Sequence, residues 1–352
     1  MQNIKQVRLW LTACNAAAFV ALMLAWAIAP AMAAMSPKAP ESVIRIPGGE
    51  HGIGFDDIGY FASMGMVSIP AGQTGALVLI NPDSGKVAAT YRVTTPAAGM
   101  HGREQGTSSA AYGDGYIFAS DHGQPGVVVL DARDGKVLQR IRLASGPDYV
   151  RYLESRHELW VTEPRAQQIQ VFSVNPGPKP VITLNSNIPI AGGPESLVFD
   201  TSLNRAYANL WKDKTVAIDT TTHKQVGVWN DSCEGPRGLA LDAAKSFLFV
   251  ACTEGKVAVL DVSHDGKLLA TAKSGAGIDI ISYNPVSGHL YVPGARSATL
   301  TIFKVAPSGS LHALAVYRTA KGAHCVTDDG KGKAFVCAPH AGTILEIEDP
   351  QP

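Results

Sequence analysis

The segment Gly193-Pro-Glu-Ser-Leu-Val-Phe-Asp200 returns 42 residues later as Gly235-Pro-Arg-Gly-Leu-Ala-Leu-Asp242. Each copy passes through a short turn into an apolar strand, Arg205-Ala-Tyr-Ala-Asn209 in one and Phe247-Leu-Phe-Val-Ala251 in the other. Lys214-Thr-Val-Ala-Ile-Asp219 and Lys256-Val-Ala-Val-Leu-Asp261 follow, each ending in a polar turn before a fourth short strand. A recurring unit of four short strands that cannot bury its own faces is the mark of a repeat architecture.

The unit can be laid along the chain by its leading glycine, at Gly54, Gly106, Gly146, Gly193, Gly235, Gly277 and Gly322. The spacing averages about 45 residues, the period of a four-stranded propeller blade. An Asp or Asn closes the third strand as Asn81, Asp131, Asp219 and Asp261, and Asp83-Ser-Gly85 and Asp134-Gly135 supply tight turns toward the fourth. After Gly322 there is room for only three strands, ending near Ile347-Glu348, and Ser42-Val-Ile-Arg-Ile46 stands unused before the first unit. The two ends therefore share the last sheet, which removes an open edge. The expected fold is all-β: a seven-bladed β-propeller of four-stranded antiparallel blades, closed by the N-terminal strand. A β-sandwich has no use for such a leftover strand.

The 352 residues carry no net charge, 46% are apolar, and only 17% are charged. Without a Lys/Arg run or a basic-aromatic stripe, nucleic acid is not an expected partner. Glycine (35) and proline (22) are abundant, as many tight turns require. The first 33 residues read as a signal peptide: Lys5 and Arg8, an apolar run from Leu9 to Ala29, then Ala31-Met32-Ala33 as a cleavage site. The alternative is a retained membrane anchor, since the run is long enough to span a bilayer. Leu11-Thr-Ala-Cys14 looks like a lipoprotein site, but most of the apolar run lies beyond the cysteine. The expected mature chain, 34–352, is one periplasmic or secreted domain with no membrane span, acting as a monomer.

Export leaves four cysteines, an even number that argues for two disulfides. Cys233 precedes a first strand and Cys252 ends the next second strand, on the same face of one blade. Cys325 and Cys337 flank the turn near Lys331 symmetrically. The expected pairs are Cys233–Cys252 and Cys325–Cys337.

Two residues after each leading glycine stand Asp56, Ser108, Asp148, Glu195, Arg237, Asp279 and His324. All are polar at the start of an otherwise apolar innermost strand, so they are expected to ring the mouth of the central channel and form the ligand-binding set. Carboxylates there suit a hard divalent cation, calcium or magnesium, with Asp148, Glu195 and Asp279 as ligands. His324 beside it could act as a general base. The plainer reading is hydrated channel lining, with Asp148 or Glu195 paired to Arg237. Loops on the same face add His101, Gly102-Arg-Glu104, Asp121-His-Gly123, Glu163-Pro-Arg165, Trp211-Lys-Asp-Lys214 and Gly294-Ala-Arg296. The ten histidines divide evenly between the two faces and so point to no metal site by number. No Cys-x-x-Cys-His, phosphate-cradling glycine loop or Gly-x-Ser-x-Gly occurs, which removes covalent haem, nucleotide and common serine-hydrolase chemistry.

The units resemble the YVTN-type repeat, and the mature chain from about residue 42 to 349 is similar to exported YncE-like propellers. Gly193-Pro-Glu-Ser-Leu-Val-Phe-Asp, Arg205-Ala-Tyr-Ala-Asn, Thr215-Val-Ala-Ile-Asp and the equivalent segments from Gly235 and Val257 carry the likeness. The resemblance implies a periplasmic protein that binds a protein or small-molecule partner through the channel face. Related-looking propellers include metal-dependent lactonases and the virginiamycin B lyase type, which keep a divalent metal or a histidine-acid set at the channel mouth. Glu195, Asp279 and His324 occupy comparable places, while the asparagine ligands of the lactonases have no counterpart in the ring. The resemblance thus implies a binding scaffold, and as its alternative a divalent-metal-dependent hydrolase or lyase.

Overall fold

The computed structural model describes residues 36–96 and 106–350. They form seven four-stranded antiparallel sheets, one per repeat. Blade 1 contains β2 (Gly59–Phe61), β3 (Met66–Pro70), β4 (Ala76–Asn81) and β5 (Lys86–Arg92); blade 2 has β6 (Ala110–Gly113), β7 (Tyr116–Asp121), β8 (Gly126–Asp131) and β9 (Val137–Arg142). Blade 3 runs β10 (Val150–Leu153), β11 (Glu158–Glu163), β12 (Gln168–Asn175) and β13 (Val181–Pro189). Blade 4 has β14 (Pro194–Asp200), β15 (Arg205–Leu210), β16 (Lys214–Asp219) and β17 (Lys224–Asn230). Blade 5 has β18 (Pro236–Asp242), β19 (Phe247–Cys252), β20 (Lys256–Asp261) and β21 (Lys267–Lys273). Blade 6 has β22 (Ser282–Asn284), β23 (His289–Gly294), β24 (Thr299–Val305) and β25 (Leu311–Arg318). Blade 7 joins β26 (Val326–Asp328), β27 (Lys333–Ala338) and β28 (Thr343–Glu348) to β1 (Ser42–Arg45) from the other end of the chain.

The closing strand pairs as the sequence predicts, with Val43 opposite Leu345 and Ile44 opposite Ile344. The preceding residues reach further. Lys38 forms a parallel bridge to Tyr317 on the outer strand of blade 6, donating its N–H to Val316 O at 2.8 Å. The N-terminal stretch is therefore fastened to two blades.

Burial explains the residue pattern. Second and third strands lie between neighbouring blades and are covered on both faces, so β7 and β8 are almost wholly buried. Outer strands such as β5 alternate between exposed and half-buried positions. One position repeats with a clear purpose. The third residue of the second strand is Phe118, Trp160, Tyr207, Phe249, Tyr291 or Phe335, each fully buried. These rings fill the widening gap between blades, where area removed from water is worth about 25 cal/mol per Å². Blade 1 places Ser68 there instead.

In blades 1 to 6 the pairing of third and fourth strands shifts register at the same place, for example at Leu79/Ile80, Ala217/Ile218 and Ile302/Phe303. A bulge increases local twist and turns the outer strand away from the axis. Blade 7, whose fourth strand comes from the far end of the chain, pairs β1 with β28 without such a shift. The third-strand Asp and Asn residues accept backbone hydrogen bonds from the following turn. Asn81 Oδ1 takes the Ser84 N–H at 3.0 Å, and Asp219 Oδ1 takes those of Thr221 and Thr222.

The cysteines stand in two pairs at disulfide distance, with Cα separations of 5.2 Å for Cys233–Cys252 and 5.5 Å for Cys325–Cys337. No helix among the described residues is long and apolar enough to cross a membrane. The signal segment, His101 and Gly102-Arg-Glu104 lie outside the described residues.

Candidate functional site at the channel mouth

The ring residues do not all begin a strand, as the repeat suggested. Glu195 and Arg237 lie in β14 and β18, but Asp56, Ser108, Asp148, Asp279 and His324 precede the first regular pairing of their blades. At the axis the blades crowd together, and the backbone here bonds to the next blade instead. Asp57 N–H donates to Ser108 O, Gly238 N–H to Asp279 O and Ile280 N–H to His324 O, each at 3.0 Å. Second-strand side chains hold some of these segments. Ser120 Oγ takes the Ser108 and Ser109 N–H groups at 2.8 and 3.0 Å, and Thr162 Oγ1 takes the Tyr149 N–H at 2.8 Å.

Asp56, Asp148, Glu195 and Arg237 share a cavity of about 420 Å³ at the mouth, with His122, Arg165 and Trp211 on its walls. Trp211 is 52% exposed, yet its indole donates to Glu195 Oε2 at 2.5 Å and its ring stacks under the Arg237 guanidinium at 5.5 Å. Arg237 Nε is 4.0 Å from Glu195 Oε1. An exposed aromatic ring held by two partners loses little freedom when something docks on it.

Asp56, Asp279 and His324 each offer an atom within 4.8 Å of the others. Asp56 is thus the carboxylate that the structure brings together with Asp279 and His324. Burial, then the charges of Glu195, Asp56, Asp279 and Asp57, holds the Asp148 carboxyl well above the usual carboxylate range. His324 is buried, with Nδ1 2.6 Å from Gly322 O and Nε2 3.0 Å from Phe55 O. Carbonyl oxygens only accept, so each ring nitrogen that bonds to one does so as the donor, and these contacts fix the orientation of the ring. Ser108 turns aside, its Oγ 2.7 Å from His122 Nε2.

Sequence reading missed an ion pair beside the ring. Below the ring, Arg151 grips Asp57 through Nη1–Oδ2 at 2.5 Å and Nη2–Oδ1 at 2.9 Å, while Ser109 Oγ donates to Asp57 Oδ2 at 2.6 Å. The Arg151 guanidinium lies 4.9 Å over the Tyr149 ring and also donates to Leu197 O at 3.0 Å. This lock ties blades 1, 2, 3 and 4 together at the axis. An arginine in the otherwise apolar run Tyr149-Val-Arg-Tyr-Leu153 was the available signal. On the far side a second opening of about 320 Å³ is lined by Tyr60, Tyr112, Tyr152 and inner-strand backbone.

Fold and site together define a seven-bladed β-propeller with a charged channel mouth. The chain is similar in structure to the β-propeller domain of Myceliophteria thermophila Cps50 (Swd1), at 13% identity and a TM-score of 0.70, over 88% of this chain and 99% of that one. It is also similar to a chain of the mitotic checkpoint complex, at 11% identity and a TM-score of 0.74, over 99% of this chain and 100% of that one. Kuenenia stuttgartiensis hydrazine synthase aligns at 12% identity and a TM-score of 0.67, over 85% of this chain and 96% of that one. At such identities the likeness establishes the fold alone. No protein-family model and no curated protein matches the sequence.

Proposed function

We propose that this chain is an exported, non-catalytic binding scaffold of the YncE-like kind, whose working surface is the mouth cavity around Trp211. The observation that carries the reading is the fixed, exposed Trp211 between Glu195 and Arg237. A planar or apolar group docks on the indole, and a cationic group reaches inward toward Asp56 and Asp148. One of the similar propellers is a chain of the mitotic checkpoint complex, which accords with a partner-presenting role here. Cysteines at disulfide distance accord with an oxidising compartment. Affinity capture from an exported-protein fraction tests it, using the natural chain and Trp211→Ala. A partner or small molecule retained by the first and lost by the second, with thermal unfolding unchanged, supports the reading. An unchanged captured set removes the mouth as the binding surface.

The second reading is a divalent-metal hydrolase or lyase built on Asp148, Glu195, Asp279 and His324. The close approach of Asp56, Asp279 and His324 favours it.

A further inference from the structure

The fourth strand of each blade forms the rim of the disc, and its outer edge presents backbone N–H and C=O groups without a ladder partner. Soluble proteins protect such edges with charged side chains, short strands or a covering segment. Six of the seven rim strands follow that rule. Each carries at least one Lys or Arg: Lys86 on β5, Arg140 on β9, Lys224 on β17, Lys267 on β21, Arg318 on β25 and Arg45 on β1. β25 is also covered in part by the bridge from Lys38. β13 differs. Val181-Ile-Thr-Leu-Asn-Ser-Asn-Ile-Pro189 has no charged residue and, at nine residues, is the longest strand among the described residues. Val181 and Leu184 are 59% and 50% exposed, and Thr183, Asn185 and Asn187 also face solvent. The strand opens on three β-branched residues, a composition that favours extended pairing. The bulge at Asn185 leaves Val181 to Leu184 in regular pairing with Asn175 to Phe172. Among the described residues, the outer edge of β13 is bonded to no other backbone. Gln225 Nε2 of blade 4 touches only its far end, donating to Pro189 O at 2.5 Å.

We propose that β13 is the docking edge for a second copy of this chain, the two β13 strands pairing antiparallel across a two-fold axis so that two blades join into one continuous sheet. Charge selects this occupant. When β13 is laid antiparallel along its twin, no charged side chain of one strand stands opposite another. The same operation on β5 sets Lys86 against Arg92, and on β21 it sets Lys267 against Lys273. Like charges directly opposite each other oppose pairing. A charged segment of an unrelated partner finds no countercharge on β13, whereas the twin strand needs none. One strand pair buries less than a standard interface, so the association falls in the range of about micromolar dissociation constants. A monomer, as the sequence suggests, is then the form present at low concentration. This goes beyond the proposed binding function, since it concerns the rim and holds whatever docks on Trp211.

The test is sedimentation velocity of the full mature chain across about 1–300 µM, with amide hydrogen exchange read at both ends of that range. The expected result is a monomer–dimer equilibrium, with exchange across β13 slowed at high concentration and exchange across β9 unchanged. Leu184→Lys and Leu184→Glu should each weaken association by about tenfold or more. Val137→Lys, on the exposed side of β9, should leave it unchanged. Leu184 is half exposed, so thermal unfolding of its variants should match the parent. Mixing the two Leu184 variants should give a dimer tighter than either forms alone, because opposite charges then face each other. A monomer at every concentration overturns the proposal. So does a dimer that Leu184→Lys leaves intact, or one whose slowed amides lie outside β13. None of these outcomes depends on capture through Trp211, so the two readings fail separately.

Discussion

Asp57 and Arg151 meet at the axis of the disc as a two-pronged ion pair, 94 residues apart in the chain and two blades apart in space. The carboxylate is almost fully buried and the guanidinium about a quarter exposed. Arg151→Ala leaves Asp57 with Ser109 as its remaining side-chain partner and should cost about 3–5 kcal/mol in denaturant unfolding. The double change to alanine should cost clearly less than the sum of the singles. Additive costs would mean the pair is not coupled.

The two cysteine pairs lie within single blades, closing separations of 19 and 12 residues. Peptide mapping without reduction should return Cys233–Cys252 and Cys325–Cys337. Replacing either pair by serine should lower stability by about 2–4 kcal/mol.

Ile44 is the buried residue of the closing strand, packed with Ile53, Ile344 and Phe335 in one core cluster. Ile44→Ala should cost about 2–4 kcal/mol, whereas Val43→Ala, on the exposed side of the same strand, should stay within about 0.5 kcal/mol. Equal losses would mean the strand contributes backbone pairing only.

Burial lifts the Asp231 carboxyl to about 6, against hydrogen bonds donated to it by the Cys233 N–H and the Thr215 hydroxyl, which pull it down. A folded value above the unfolded one means the folded state binds the proton more tightly. Stability therefore falls as pH rises from the unfolded value near 4 through about 6. Asp231→Asn should accordingly gain on the order of 2 kcal/mol over the parent at pH 7.5 and lose that advantage near pH 4. An advantage that does not change with pH would contradict this origin.

Much of the architecture was readable because each blade solves the same packing problem with local means. The Asx turns at Asn81 and Asp219, the aromatic third position and the hairpin-bridging cysteines all act within about forty residues of one another. The ring residues were readable as positions but not as partners. That Arg237 leans on Trp211, or that Asp56 meets Asp279 and His324, depends on how seven separate segments converge around an axis. No periodicity within a segment encodes that angle. The same holds for Asp57, which stands beside a ring residue in sequence but points to the opposite half of the channel, toward Arg151.

The attachment of residues 38 and 42–45 to blades 6 and 7 carries a consequence in time. A ribosome delivers those residues hundreds of positions before the strands they must join. Through most of its synthesis the chain is an open arc, with inner strands lacking their neighbours at both ends. The disc closes only when β28 has been made and can take β1 beside it, so its last blade waits on two strands whose residues Ser42 and Glu346 stand 304 positions apart.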